Sequence, residues 1–281
     1  MQSELECLIC LLNQALNTVI LATEDINLQR EVINRTADWI RQADLVQTPA
    51  AISTEVYRIV SELTGVDDPY KEIKEQTNQE ALHMLPDLKK MINESADQLD
   101  TALHLAVAGN IIDLGIGHNF DLKKDVISIL KIPFAIRSVH DFKKELYPGQ
   151  KLLYLGDNSG EIVFDRLLIE LILDHGVDVT FVVKSGPIIN DALMQDAVTT
   201  GLTDIVPVIE SGSDDIGINF KRASKEFINT FITSDFILAK GHGNFGSCDE
   251  RSENLYFLLK AKCPVVARKL GVKTGDIVFK H

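Results

Sequence analysis

The chain has 281 residues, 45% hydrophobic and 25% charged, an ordinary globular composition with length for one large or two modest domains. Its formal net charge of −13 argues against nucleic acid as a partner and repels anions at long range, so an anion site needs a local positive centre such as a metal ion or a buried lysine. Four cysteines, at positions 7, 10, 248 and 263, are too few for a disulfide scaffold and fit a reducing cytoplasm.

The opening MQSELECLICLL carries acidic rather than basic residues before its apolar part, unlike a signal peptide. No stretch reaches the run of about 20 apolar residues that a span requires; the best candidate, HLAVAGNIIDLGIG, is interrupted by Asn110 and Asp113. The expectation is a cytoplasmic chain without a membrane partner.

Residues 1 to about 110 read as helices with no convincing strand. Ser3 and Glu6 have the spacing of a capping box, and helices follow to about Thr23 and from Asn27 to Gln42. Thr48-Pro49 fits a helix start, and that helix ends at Gly65. Asp68 opens another that runs to Pro86, where a new helix continues to about Glu94. Residues 97–115 form one more, apolar on nearly all sides and therefore buried. Within it Asn110 and Asp113 lie three apart on one face; they need partners, from a neighbouring helix end or from a ligand. Cys7-Leu-Ile-Cys10 is a single CxxC on a helix, a weak zinc signal better read as two core cysteines, structural or accessory and away from catalysis.

Residues 120–148 read as two short helices leading into a sheet. Strands follow near 151–155, 179–183, 205–209, 235–239 and 264–267, alternating with helices, with the tail a candidate edge strand. That alternation signals a doubly wound, Rossmann-like parallel sheet of five or more strands. The expected organisation is an all-helical domain over 1–115 packed on an α/β domain over 116–281. In the common strand order, the strands at 151–155 and 235–239 are neighbours at the switch point.

The chain is organised around KLLYLGDNSGE, residues 151–161. A short buried strand ends at Gly156; Asp157 and Asn158 stand at its mouth, then Ser159, Gly160 and a helix. The strand at 179–183 leads to KSGPIIND and Asp191. A right-handed β-α-β unit puts both loops at one sheet edge, so Asp157, Asn158 and Asp191 converge. Two carboxylates and an amide oxygen suit a hard divalent cation in an open, oxygen-rich site. Glu161 supports Asn158, orients water or is a first-turn acid. Asp165 and Asp196, in the helices that follow, are expected to tolerate alanine. Lys240-Gly-His-Gly-Asn244 closes another strand; Lys240 meets either a bound anion or, as a salt bridge, Asp157 or Asp191, and Gly241 and Gly243 free backbone N–H groups for phosphate oxygens. Ser211 to Gly217 is a loop suited to substrate hydroxyls or a plain turn. There is no GxxxxGK[ST], no GxGxxG and no G-x-S-x-G.

These pieces resemble the damage-control phosphatases, in particular the short archaeal and bacterial branch with an early CxxC. The matching stretches are Cys7 and Cys10, TGVDDPY at 64–70, AGNIIDLG at 108–115, GDNSGE at 156–161, Asp191, and KGHGN at 240–244. The resemblance implies hydrolysis of phosphomonoesters in damaged or surplus metabolites, such as sugar phosphates or oxidised phosphopantetheine. It implies a divalent metal (manganese, cobalt, nickel or magnesium) on Asp157, Asn158 and Asp191, with Lys240 at the phosphate. Ser159, Gly160, Glu161, Asn110, Asp113, Gly241, Gly243 and Asn244 are the candidate substrate contacts. The expected ligand is a small phosphorylated metabolite. The alternatives are a non-catalytic phosphometabolite-binding module with a bridging metal, or a cysteine-dependent redox or zinc protein.

Overall fold

The computed structural model describes residues 1–111 and 127–281, with the side chains of residues 110 and 111 excepted. Five helices come first: α1 (Leu5–Ala22), α2 (Ile26–Ile40), α3 (Pro49–Thr64), α4 (Lys71–Asn93) and α5 (Gln98–Ile111). The remainder alternates: β1 (Phe134–Arg137), α6 (Val139–Glu145), β2 (Lys151–Leu155), α7 (Glu161–Asp174), β3 (Asp178–Val183), α8 (Met194–Thr199), β4 (Val208–Glu210), α9 (Lys225–Thr233), β5 (Phe236–Lys240), α10 (Gly241–Cys248), β6 (Leu255–Lys260), α11 (Pro264–Leu270) and β7 (Ile277–Lys280).

The seven strands form one sheet in the order β1-β7-β6-β5-β2-β3-β4. All neighbours are parallel except β6 and β7. As the sequence suggests, β2 and β5 lie side by side, Leu152 opposite Phe236 and Leu155 opposite Ala239. Side chains alternate along β2, so each sheet face has its own core. Leu152 and Tyr154 join α4, α5, α6 and α7 in one layer. Leu153 and Leu155 join α1, α3, α9, α10 and α11 in the other. The helical N-terminal region thus covers both faces.

Local chemistry accounts for most boundaries. Thr48 Oγ1 accepts the Ala51 N–H at 3.1 Å, Pro49 holds the first turn, and Gly65 at φ 71° closes α3. Pro86 does not break α4, which runs through it; one backbone bond is lost, but Ala81, Leu88 and Ile92 are buried along the same face. The α1 cap is Glu4, with Cys7 three residues on, rather than Ser3 with Glu6.

Three expectations fail in the α/β part. Residues 134–137 form an edge strand rather than part of a helix, too short for its alternation to register. The stretch 264–267 lies in helix α11, and the strand is the preceding run Leu255–Lys260. The apolar run Val265-Val266-Ala267 is compatible with either state; Pro264 in the first turn, and Cys263 Sγ accepting the Val266 N–H, decide for helix. The tail strand β7 lies between β1 and β6 rather than at an edge.

Among the described helices, α1 alone has the length and apolarity to cross a membrane. It packs on α2 and α3, burying Cys7, Leu11, Ala15, Thr18 and Val19.

Candidate active site at the carboxyl edge of the sheet

Gly156 follows β2 where a Cβ would lie 2.5 Å from the Phe181 ring, so only glycine lets the chain turn there. The loops after β2 and β3 are then stitched together by backbone. Ala192 N–H donates to Asp157 O at 2.9 Å and Ser159 N–H to Asn190 O at 2.8 Å, with Asn158 and Asp191 paired as an isolated antiparallel bridge. This stitching brings Asp157, Asn158 and Asp191 together on the wall of one cleft of about 620 Å³.

The electrostatics of this corner are unusual. Asp191 is buried, and burial pushes its carboxyl up to about 6, against the pull of Lys184, whose Nζ is 3.6 Å from Oδ2. Burial, then the like charges of Glu161 and Asp191, holds the Asp157 carboxyl well above the ordinary range. Asn158 Nδ2 donates to Asp157 Oδ2 at 3.1 Å and to Glu161 Oε2 at 2.9 Å. With its N–H groups spent on carboxylates, the amide turns its acceptor oxygen away from them.

A buried and a half-buried carboxylate beside an amide oxygen, raised towards the protonated state chiefly by burial with the Glu161 charge adding to it, are a donor set that a divalent cation would relieve. Among the described residues, no three His, Cys, Asp or Glu side chains are gathered to hold a metal; only two of the three expected donors belong to those types. The donor set fits a cation with open coordination positions rather than a closed structural site.

Beneath the loop lies a second polar layer. Glu161 is fully buried. Its Oε2 also accepts the Asn158 N–H at 3.3 Å, and its Oε1 accepts from Lys240 Nζ at 2.6 Å. Lys240 donates further to Ala106 O at 2.9 Å and to Asp165 Oδ1, which also accepts the Tyr154 hydroxyl at 2.7 Å. Lys240 has no exposed surface. Three internal oxygens take its ammonium, which leaves no N–H of Lys240 directed at the cleft. The carboxylates it pairs with, Glu161 and Asp165, are not the expected Asp157 or Asp191.

Asp165 and Asp196, expected from the sequence to tolerate alanine, are both buried and hydrogen-bonded. Asp165 anchors Lys240, and burial pushes its carboxyl up to about 7. Asp196 accepts from Asn78 Nδ2 at 2.7 Å and from Leu193 N–H at 2.8 Å.

The remaining candidates divide. Gly241, at φ 74°, packs directly on the Asp157 carboxylate. Gly243 lines the cleft, its carbonyl accepting from Ser247 Oγ at 2.9 Å. Asn244 is buried and ties β2 to β5, its Nδ2 donating to Gly156 O and Lys240 O, both at 2.9 Å. Ser159 is buried, and Gly160 N–H donates to Asn78 Oδ1 on α4 at 2.7 Å. Asn244, Ser159 and Gly160 build the floor rather than line the cleft. From the loop 211–217 only Ile216 reaches it. Asp113 and the side chain of Asn110 lie outside the described residues.

Sequence reasoning missed several groups. Lys262 is exposed and lines the cleft, and its charge pulls Asp157 down. It was hidden because it follows β6, a strand the pattern did not reveal. His242, which the sequence already places on a crevice loop as either a turn or a catalytic residue, does line the cleft; its Nε2 lies 2.9 Å from the Lys262 N and 2.7 Å from Lys260 O, so it fixes the Lys262 loop. Burial pushes its imidazole down to about 4. The CxxC is not remote: Cys7, Cys10 and Cys263 all line the same cleft, and Cys10 is exposed rather than in the core. Ile189, two residues before Asp191, has φ 46°, the one positive value at a non-glycine among the described residues.

Comparison with known proteins agrees with this architecture. The damage-control phosphatase ARMT1-like domain matches residues 4–278. An uncharacterized protein of Methanocaldococcus jannaschii is 36% identical, covering 98% of this chain and 93% of that one. A damage-control phosphatase of Pyrococcus horikoshii is 34% identical, covering 99% and 97%. The crystal structure of a DUF89 family protein from Pyrococcus horikoshii superposes with a TM-score of 0.93 at 33% identity, covering 100% and 99%. The match over nearly the whole chain shows that it belongs to the damage-control phosphatase family.

Proposed function

We propose that the chain is a metal-dependent phosphomonoesterase of small phosphorylated metabolites, with Asp157, Asn158 and Asp191 holding one divalent cation of the manganese, cobalt, nickel or magnesium kind. The observation that carries this reading is the stitched pair of loops. It sets a buried and a half-buried carboxylate beside an oriented amide at the wall of an open cleft.

A cation there supplies Lewis acidity towards a phosphoryl oxygen and lowers the pKa of water. The chain's own residues do the rest. Lys262 offers an exposed positive charge at the cleft wall, suited to the equatorial oxygens as charge develops on them. Glu161 holds Asn158 by side chain and backbone, and Lys240 holds Glu161. Lys240 thus acts from behind the centre, as counter-charge to Glu161 and Asp165, a role that replaces phosphate contact. The relatives named as damage-control phosphatases support the same reaction class.

The test is phosphate release from a panel of phosphometabolites, with each of the four metals and with chelator. Metal-dependent release that disappears in Asp157→Ala supports the reading. Release unaffected by chelator, or persisting in that variant, contradicts it.

A further inference from the structure

The cleft has two unlike walls. One is the sheet edge with Asp157, Asn158, Asp191 and Lys262; the other is the first half of α1 and the start of α11. These helices are clipped together by Arg268, which pairs with Glu4 and, at 2.7 Å, with Glu6. That pairing occupies Glu6, the one charged side chain that α1 contributes to the cleft. Beside it the wall is apolar or sulfur at Ile9, Cys10, Cys263 and Pro264, with the amides of Asn13 and Gln14 further along α1.

Ile9 is 67% exposed, an apolar side chain left in water beside a concave site, where a ligand that covers it gains free energy. Burial raises the Cys7 and Cys10 thiols, so they remain neutral and present a polarisable, weakly hydrogen-bonding surface. The Gln14 amide nitrogen is turned to Cys10 Sγ at 3.6 Å. A cleft of about 620 Å³ also exceeds the needs of a phosphoryl group alone.

We infer that the substrate's leaving group is an apolar alcohol several carbons long, alkyl or aryl rather than a bare polyol, received by Ile9, Cys10, Cys263 and Pro264. This rests on the phosphatase reading above and specifies its substrate class.

The experiment measures kcat/KM with manganese for propyl, butyl, pentyl and hexyl phosphate and for glycerol 3-phosphate. Hydrophobic transfer to a partly covered wall gives a rise of about two- to four-fold per methylene. In the double variant Ile9→Asn with Cys10→Ser, the rise falls below about 1.5-fold per methylene, the smaller gain a polar wall leaves. Because each slope is a ratio within one preparation, loss of folded enzyme cancels. A flat series in the wild type, with glycerol 3-phosphate turned over as well as hexyl phosphate, overturns the inference while leaving the phosphatase reading standing. An unchanged slope in the variant overturns the assignment of the wall. No phosphate release from any member overturns both.

Discussion

Replacing Gly241 with alanine would separate the proposed metal centre from the stability of the fold. Gly241 opens α10 at φ 74°, and a Cβ built there lies 1.9 Å from Asp157 Oδ2 and 2.4 Å from its Cγ. Ordinary contact begins at 3.4 Å, so the carboxylate must retreat by about 1.5 Å. Asp157 has little room for this, because its carbonyl is fixed by Ala192 and its Oδ2 accepts from Asn158. Gly271 is the control: φ is 72° and a Cβ there meets nothing within 4 Å. Gly271→Ala therefore bears only the left-handed backbone cost, about 1 kcal/mol or a fall of roughly 2 °C in Tm. Gly241→Ala should lose at least as much stability and, unlike the control, at least about tenfold in manganese affinity, the effect of a displaced ligand group. Calorimetric titration and thermal unfolding of the two variants decide it. Wild-type manganese affinity in Gly241→Ala would refute the assignment of Gly241 as the cradle of Asp157.

Four further outcomes are expected. Lys240→Ala should destabilise the fold by about 3–5 kcal/mol in denaturant titration, because it strands two buried carboxylates, Glu161 and Asp165. Lys262→Ala should instead raise KM several-fold with Tm unchanged, since its side chain is exposed on the cleft wall; an unchanged KM would remove it from the site. His242 stays neutral in the fold down to about pH 4 but takes up a proton near 6.5 when unfolded. The unfolded state then binds more protons, so stability falls as pH drops from 6.5 to 4, by at most about 3 kcal/mol, and His242→Gln should flatten that limb. Asp191 keeps its proton up to about pH 6, so manganese affinity should rise by about tenfold per pH unit between pH 5 and 6, with proton release seen calorimetrically; a flat profile there would contradict the ligand role.

Much of the centre was legible because the pattern strand, oxygen-bearing loop, helix occurs twice, and β-α-β handedness puts both loops on one edge. That argument places Asp157, Asn158 and Asp191 without any side-chain detail. The direction of Lys240 could have been read as well. Period two along β5 puts Lys240 on the face of Phe236 and Leu238, towards α5 and α7, and Asp165 stands one helical turn beyond Glu161. A buried lysine facing two acids on one helix face is an internal pair before it is a phosphate ligand. Lys262 was beyond reach, because residues 255–259 form a continuous apolar run whose period does not distinguish strand from helix. The cysteines were misplaced for a different reason. A helix pattern gives the face Cys7 and Cys10 occupy, but not that α11 meets it with Cys263 at the mouth of the cleft.

Whether Asp157, Asn158 and Asp191 hold one catalytic divalent cation is decided by manganese titration of Asp157→Ala and Asn158→Ala beside the wild type, with phosphate release followed in parallel. Asp157→Ala should lose both binding and turnover, and Asn158→Ala should weaken binding less, because a neutral donor is lost. An Asp157→Ala protein that binds manganese at wild-type affinity would contradict the claim.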